Sequence, residues 1–399
     1  GAVLLSLVAI AFARSGDFAH HLFHVLDHSH RGVALVLTPC IFAAVVYVTR
    51  TWFPEARGSG IPQVMAASHN PAHSSTGPLV SLRTALAKYF GTVAMLLGGG
   101  SVGREGPTVQ ISAAIVAAVH RKLGVPVTNG VIIAGGAAGV AAAFNTPLAG
   151  VAFAIEELAA AFEQRVAVFV MASVMISGLV SLGLDGDYIY FGMVTHSLSL
   201  REILLAAPLA GVLGGLAGAL FSKAVIAVAW SRKPMITALR RHPILLAFGC
   251  GVIVAITGWL SNGGSWGTGY ETTRALLSGQ SAPLSYGPAK FVATLATALS
   301  GAPGGIFAPS LSVGAGLGQL IARVLPDSAS GAIVLLGMIG YFTGVVRAPL
   351  TSVIIMMEMT ANRSMILPLF ATALIADWIS AIVCPQKIYH ALSRQFQAD

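Results

Sequence analysis

The chain has 399 residues, of which 55% are hydrophobic and only 10% charged, and its mean hydropathy is +0.80. Soluble domains carry about 25% charged residues, so a soluble globular protein is excluded and a polytopic membrane protein is indicated. The formal charge of +8 sits at scattered segment ends with no basic arm, which argues against a nucleic-acid partner. Cys40, Cys250 and Cys384 lie far apart, in or beside apolar runs, and form neither a metal pattern nor a disulfide framework.

Gly1–Phe12 is apolar but has no preceding basic region or cleavage signal, so it reads as the end of a first helix rather than a signal sequence. His20, His21, His24, Asp27, His28 and His30 follow as a dense cluster, expected in an exposed interfacial loop. Apolar spans then run near 32–49, 80–98, 109–119, 129–155, 165–183, 202–230, 243–260, 288–300, 311–324, 331–346, 348–359 and 365–383. Several fall short of the ~20 residues that cross a bilayer upright, which predicts helices ending inside the membrane. Such ends are stable only where protein or a watery cavity satisfies the backbone. Arg232, Lys233, Arg240 and Arg241, between two apolar spans, read as a cytoplasmic loop by the positive-inside rule. Nothing after Tyr389 reads as a soluble domain.

Two blocks repeat at one spacing. Gly103-Arg104-Glu105-Gly106-Pro107-Thr108 aligns with Gly305-Ile306-Phe307-Ala308-Pro309-Ser310, 202 residues on. Asn145-Thr146-Pro147-Leu148, running on to Glu156, aligns with Arg347-Ala348-Pro349-Leu350, running on to Glu358, again 202 residues on. A constant spacing argues for duplicated halves, 1–190 and 191–399, in a single membrane domain. Gly and Pro breaks at matching places in two halves point to a ligand near the repeat interface.

Gly58-Ser59-Gly60-Ile61-Pro62 shares the design of the first repeated block: a glycine turn, then a proline opening a helix. Proline is tolerated there because the N–H it lacks would be unpaired anyway. The remaining free N–H groups and the positive end of the helix dipole then make an anion site without a full positive charge. One such segment is an ordinary helix start; three in one membrane chain favour an ion pathway.

These residues carry a resemblance. The three segments, with Lys88, Phe144-Asn145, Pro147-Leu148-Ala149-Gly150, Ile155-Glu156-Glu157 and Tyr389, resemble the signature motifs of CLC chloride channels and chloride/proton antiporters of prokaryotic type. The resemblance implies an all-α polytopic fold of two inverted-topology repeats built from broken, tilted helices. It implies a homodimer with one pathway per subunit, in a prokaryotic inner membrane. The cargo would be chloride and protons, with no cofactor, no resident metal and no enzymatic activity.

By the same resemblance, chloride is held by the Ser59 hydroxyl, the Tyr389 phenol and the N–H groups of Ile306 and Phe307. The N–H groups of Gly60, Ile61, Arg104, Glu105 and Gly106 would flank neighbouring ion positions. Taken alone, Ser59 is equally a helix N-cap and Tyr389 an interfacial anchor. Glu105 would be the gate: ionised it takes an anion seat, protonated it swings aside. Its repeat counterpart is Phe307, so the duplicated scaffold does not require an acid there. Glu156 pairs with Glu358 and reads as structural, bonded to nearby backbone; Glu157 pairs with Met359 and matches the family's inner proton-transfer glutamate.

The resemblance has one departure. Exchangers related to the best-known bacterial members carry a supporting glutamate where this chain has Met65. Ser59 matches chloride-preferring members, since the fluoride-selective branch departs from serine and nitrate-preferring members often carry proline. Lys88 and Arg104 read as tuning the potential near the gate or as structural pairs. The expected function is chloride/proton antiport, with a passive chloride channel of the same fold as the alternative. Two readings from other classes are a serine hydrolase on Ser101 or Ser265, which sit in G-x-S-x-G matches, and a metal receptor on the histidine cluster, whose i,i+4 spacings suit a metal.

Overall fold

A computed structural model describes residues 1–30, 32–69, 77–158, 164–186, 189–194, 197–325 and 329–397. The described residues are helical and contain no β-sheet. The first half comprises α1 (Ala2–Ser29), α2 (Val33–Trp52), α3 (Ile61–His69), α4 (Leu82–Leu97), α5 (Glu105–Lys122), α6 (Asn129–Phe144), α7 (Pro147–Phe153) and α8 (Gln164–Asp185). A π-helical turn, Ala154–Leu158, follows α7 directly. The second half comprises α9 (Leu200–Trp230), α10 (Pro234–Arg241), α11 (Pro243–Leu260), α12 (Tyr270–Leu277), α13 (Tyr286–Ser300), α14 (Phe307–Val324), α15 (Ser330–Val346), α16 (Pro349–Thr360), α17 (Ile366–Val383) and α18 (Ile388–Ser393).

Six of these helices are long and apolar enough to cross a membrane: α1, α2, α8, α9, α11 and α17. Their outward faces carry large apolar side chains such as Leu204, Leu245 and Trp378, as lipid contact requires. By contrast α5, α6, α14 and α15 are buried along most of their length, on all faces. An apolar helix without a polar face belongs inside a larger assembly of helices. These four therefore form the centre, wrapped by the spanning helices.

Glycine makes the central packing close. A β-carbon on Gly337 would overlap Gly318 Cα, and one on Gly314 would stand 2.6 Å from Met338 Cα, so α14 and α15 touch backbone to backbone. The helices break where the sequence shows Gly and Pro. Asn145 (φ 55°) ends α6 and Arg347 (φ 60°) ends α15, both in the left-handed conformation, and Pro147 and Pro349 open α7 and α16.

The histidine cluster departs from its expected loop. His20 to His28 lie on α1, whose 28 residues carry the apolar pattern of Gly1–Phe12 through them, and His30 caps its end. Histidine is a weak helix former but no breaker, and the i,i+4 spacing that suits a metal is also the spacing of one helical face.

Candidate functional site

Three broken helices meet at the centre of the molecule. Gly103 and Gly305 form a two-way backbone pair, each N–H donating to the other's carbonyl at 2.8 and 2.7 Å. This joins the residues just before α5 to those just before α14. Gly304 N–H also donates to Gly58 O at 3.1 Å, bringing in the turn before α3. The glycines allow the approach: a β-carbon on Gly106 would overlap Ser59 Oγ, and one on Gly305 would stand 3.0 Å from Gly106 N. At Gly60 φ is +106°, which only glycine adopts without strain, and Gly106 O and Gln110 leave no room for a side chain. The segments opening at Ser59, Glu105 and Ile306 therefore converge.

Each of these helices begins with N–H groups that have no partner inside the helix. Among the described residues, Ile61, Glu105, Gly106, Ile306 and Phe307 donate to no backbone carbonyl. Three helix N-termini and their dipoles thus aim at one buried region. A cavity of about 60 Å³ lies there, lined by Ser59, Gly305, Ile306 and Tyr389 among others. One water needs only about 10–15 Å³ measured this way, so the space admits a monatomic ion or several waters. The Ser59 and Tyr389 hydroxyls are buried at this cavity, facing each other without a hydrogen bond of good geometry. Two unsatisfied buried hydroxyls beside a ring of free N–H groups form a donor set, suited to an anion.

Glu105 is fully buried at the same convergence. A β-carbon on Gly103 would overlap its Oε2, so the carboxyl lies against the α5–α14 backbone pair. Its own N–H and that of Ala308 face it, but neither oxygen makes a hydrogen bond of good geometry. The acid thus stands where an anion would be attracted, loosely held. Its counterpart Phe307 instead fills an aromatic cluster, with ring centroids 4.9 Å from Phe342 and 6.0 Å from both Phe153 and Tyr389.

The basic residues are anchored. Lys88 is fully buried and donates to Arg57 O at 3.2 Å and Gly58 O at 2.8 Å, fixing the turn that presents Ser59. Arg104 pairs with Asp17 and donates to Ala13 O, each at 2.8 Å. It lines a wide cavity of about 940 Å³ that also takes in His20, His24, Tyr190 and Glu271. His20 and His24 meet there with Nε2 atoms 3.2 Å apart. Among the described residues, no three His, Cys, Asp or Glu side chains form a set able to hold a metal.

Glu157 is buried within the π-helical turn. Such turns are rare and recur at functional sites. Lys387 Nζ is 3.8 Å from one carboxyl oxygen and His390 Nδ1 3.5 Å from the other. Glu156, its neighbour, turns the other way. It accepts from Leu350 N at 3.1 Å and from Thr351 N and Oγ1 at 2.7 Å each. Glu358 reciprocates, accepting from Leu148 N at 3.1 Å and Ala149 N at 2.7 Å. Both acids bind backbone, as the sequence reading expected, but backbone of the other half. Reciprocal caps with matching distances are what a two-fold axis between the halves produces.

The family described as voltage gated chloride channel matches residues 40–381, most of the chain. The chain belongs to this family. Solved structures agree on the CLC fold. A slow cyanobacterial Cl⁻/H⁺ antiporter superposes with a TM-score of 0.83 at 22% identity, covering 100% of this chain and 96% of that one. A CLC-type fluoride/proton antiporter gives 0.80 at 23%, covering 98% and 97%. A eukaryotic CLC transporter gives 0.77 at 22%, covering 99% and 73%. The protein is thus an integral membrane protein of a family of channels and transporters.

Within this CLC chain, several participants escape sequence comparison. Gly267 and Gly269 adopt φ of +61° and +78°, echoing +63° at Gly58 and +106° at Gly60. They are the second-half counterpart of the Ser59 turn, but 209 residues away rather than 202, so a fixed spacing misses them. Lys290 does lie 202 residues after Lys88, and its Nζ donates to Ser265 O and Gly267 O of that second turn. That signal was available. Lys387 and His390 are visible only once α18 is packed beside the π-helical turn.

The hydrolase reading finds no support. Ser101 Oγ bonds Thr294 Oγ1 at 2.9 Å, Ser265 bonds Ser261, and neither makes a hydrogen bond to a histidine among the described residues.

Proposed function

We propose that the protein exchanges chloride for protons in opposite directions. The observation that carries this reading is the buried, loosely held Glu105 carboxyl at the convergence of α3, α5 and α14. When ionised, it fills an anion position as chloride would. When protonated, it loses its attraction to the N–H groups and leaves. One acid then excludes the anion and carries the proton, so the two movements are linked. Chloride is held next to it by Ser59 Oγ, Tyr389 Oη and the N–H groups of Ile306 and Phe307. The N–H groups of Gly60, Ile61, Arg104 and Gly106 line adjacent positions. Partial charges suit passage, because binding must be strong enough to admit the ion and weak enough to release it.

Glu157 serves as the inner proton station. The basic helix α10 lies on its side of the molecule, since Trp230 Nε1, at the end of α9, bonds Ala391 O of α18 at 3.1 Å. Positive charge marks that face as cytoplasmic. The protein works as a homodimer with one pathway in each subunit, in a prokaryotic plasma membrane, as its resemblance to prokaryotic CLC proteins suggests.

The test is flux from liposomes under crossed chloride and pH gradients. An exchanger shows a zero-current voltage that depends on both gradients, whereas a passive channel reverses at the chloride potential alone. Glu105→Gln abolishes proton movement, and Glu157→Gln lets chloride move without protons. Proton uptake unchanged in both variants refutes antiport.

A further inference from the structure

We infer that His390 delivers cytoplasmic protons to Glu157 and thereby stands in for the acid absent at position 65. The proposal rests on the antiport reading and names a step within it.

Glu157 has no exposed surface of its own: its side chain is 0% accessible, so something must link it to water. In this chain Met65 is also buried and cannot carry a proton. His390 supplies the link. Its side chain is 47% exposed, yet Nδ1 reaches to 3.5 Å from Glu157 Oε1. A shift of less than ~1 Å brings the pair to hydrogen-bond distance, and relay contacts are commonly long in the resting state. Imidazole is the side chain suited to taking and giving protons near neutral pH. Lys387, 3.8 Å from the other oxygen, is a fixed positive neighbour that draws the carboxylate toward this mouth.

The transfer balances simply. The imidazolium gives its Nδ1 proton to Glu157 Oε1, forming a neutral carboxylic acid and a neutral imidazole. The ring then takes a proton from cytoplasmic water, and Glu157 passes its own inward toward Glu105. The ionisable groups on segments packed against α18 are Lys387, Tyr389 and Arg394 on or beside it, Arg201, Glu202 and Lys223 on α9, His69 on α3 and Tyr341 on α15. His69 Nδ1 is engaged with Met65 O at 2.7 Å. The acid on those helices, Glu202, is tied into the capping box that opens α9. Among the described residues of these segments Glu202 is the one carboxylate.

The experiment measures proton and chloride turnover in liposomes for the wild type, His390→Ala, His390→Gln and Lys387→Met at several internal pH values. Both histidine variants should lose proton turnover on the order of tenfold near neutral internal pH, less than the ~100-fold of a positioned acid because water reaches the emptied space. The loss should shrink at acid internal pH, and millimolar imidazole inside the liposomes should restore His390→Ala. Lys387→Met should change the rate without making it respond to imidazole. A wild type that moves no protons overturns the antiport reading itself. A coupled wild type with unchanged histidine variants overturns the relay alone. So does a loss that neither acid nor imidazole relieves, since that is the mark of a structural role; His390→Gln, which keeps polarity and bulk, guards against misfolding.

Discussion

Removing the Glu358 carboxylate tests whether the two halves are fastened through their exchanged helix caps. Glu358→Ala deletes two hydrogen bonds to an ionised acceptor, from Leu148 N and Ala149 N. Bonds to a charged group are worth about 1.5–3 kcal/mol each, and an anion at a helix N-terminus adds about 0.3–1 kcal/mol. Glu358 is partly exposed, so solvent screening reduces the hydrogen-bond figure to about 1 kcal/mol each and the total to about 2–3 kcal/mol. Glu156→Ala deletes a third bond, to Thr351 Oγ1, and should cost about 3–4 kcal/mol by the same reckoning. Because both caps clamp α16 against α7 and the π-helical turn, the double variant should cost about 1–2 kcal/mol less than the sum. Equilibrium unfolding in mixed micelles, followed by tryptophan fluorescence, measures all three. Single costs below about 0.5 kcal/mol, or strict additivity, would refute the clamp.

Further substitutions probe the proposed ion seat. Tyr389→Phe keeps the ring beside Phe307 but removes one donor, so chloride affinity by calorimetry should fall about tenfold, the worth of one hydrogen bond to an ion; unchanged affinity removes Tyr389 from the site. Gly106→Ala forces the Ser59 hydroxyl aside, and should weaken chloride binding more than Ser59→Ala does, because the backbone donors are displaced too. Equal effects would mean that the hydroxyl alone matters. Lys88→Met removes one donor each from the Arg57 and Gly58 carbonyls, which keep Gln63 Nε2 and Gly304 N–H, and should lower stability by about 1–3 kcal/mol while weakening chloride binding. A stable variant with normal binding would show that the turn holds its shape unaided.

Much of the architecture could be read from residue order. Apolar runs marked nearly every helix of the core, and the constant spacing of 202 paired α5 with α14 and α7 with α16. The glycine–proline turns located all three converging helix starts, because backbone chemistry is local and leaves a local trace. What stayed hidden was either out of step or far apart. The second glycine turn slips by seven positions, from 202 to 209, because the connection after it, up to Lys290, is seven residues shorter than that from Gly58 to Lys88. The partners of Glu156 lie 194 and 195 residues away, and His390 meets Glu157 across 233 positions. No periodicity reports contacts of that kind. The histidines of α1 misled for the opposite reason: a polar cluster looks like a loop until one face is found to line a wide cavity.

The pairing of Glu105 with Phe307 carries a consequence for direction. A frame made twice over, with its two copies facing opposite ways, has by itself no inside or outside; either mouth could serve as the other. Here one copy bears an ionisable arm and the other a greasy ring locked among its neighbours. Polarity in this molecule is thus written by side chains at mirrored positions, Glu105 against Phe307 and Glu157 against Met359, and not by the duplicated frame. Turning it back to front would take both pairs exchanged, not one.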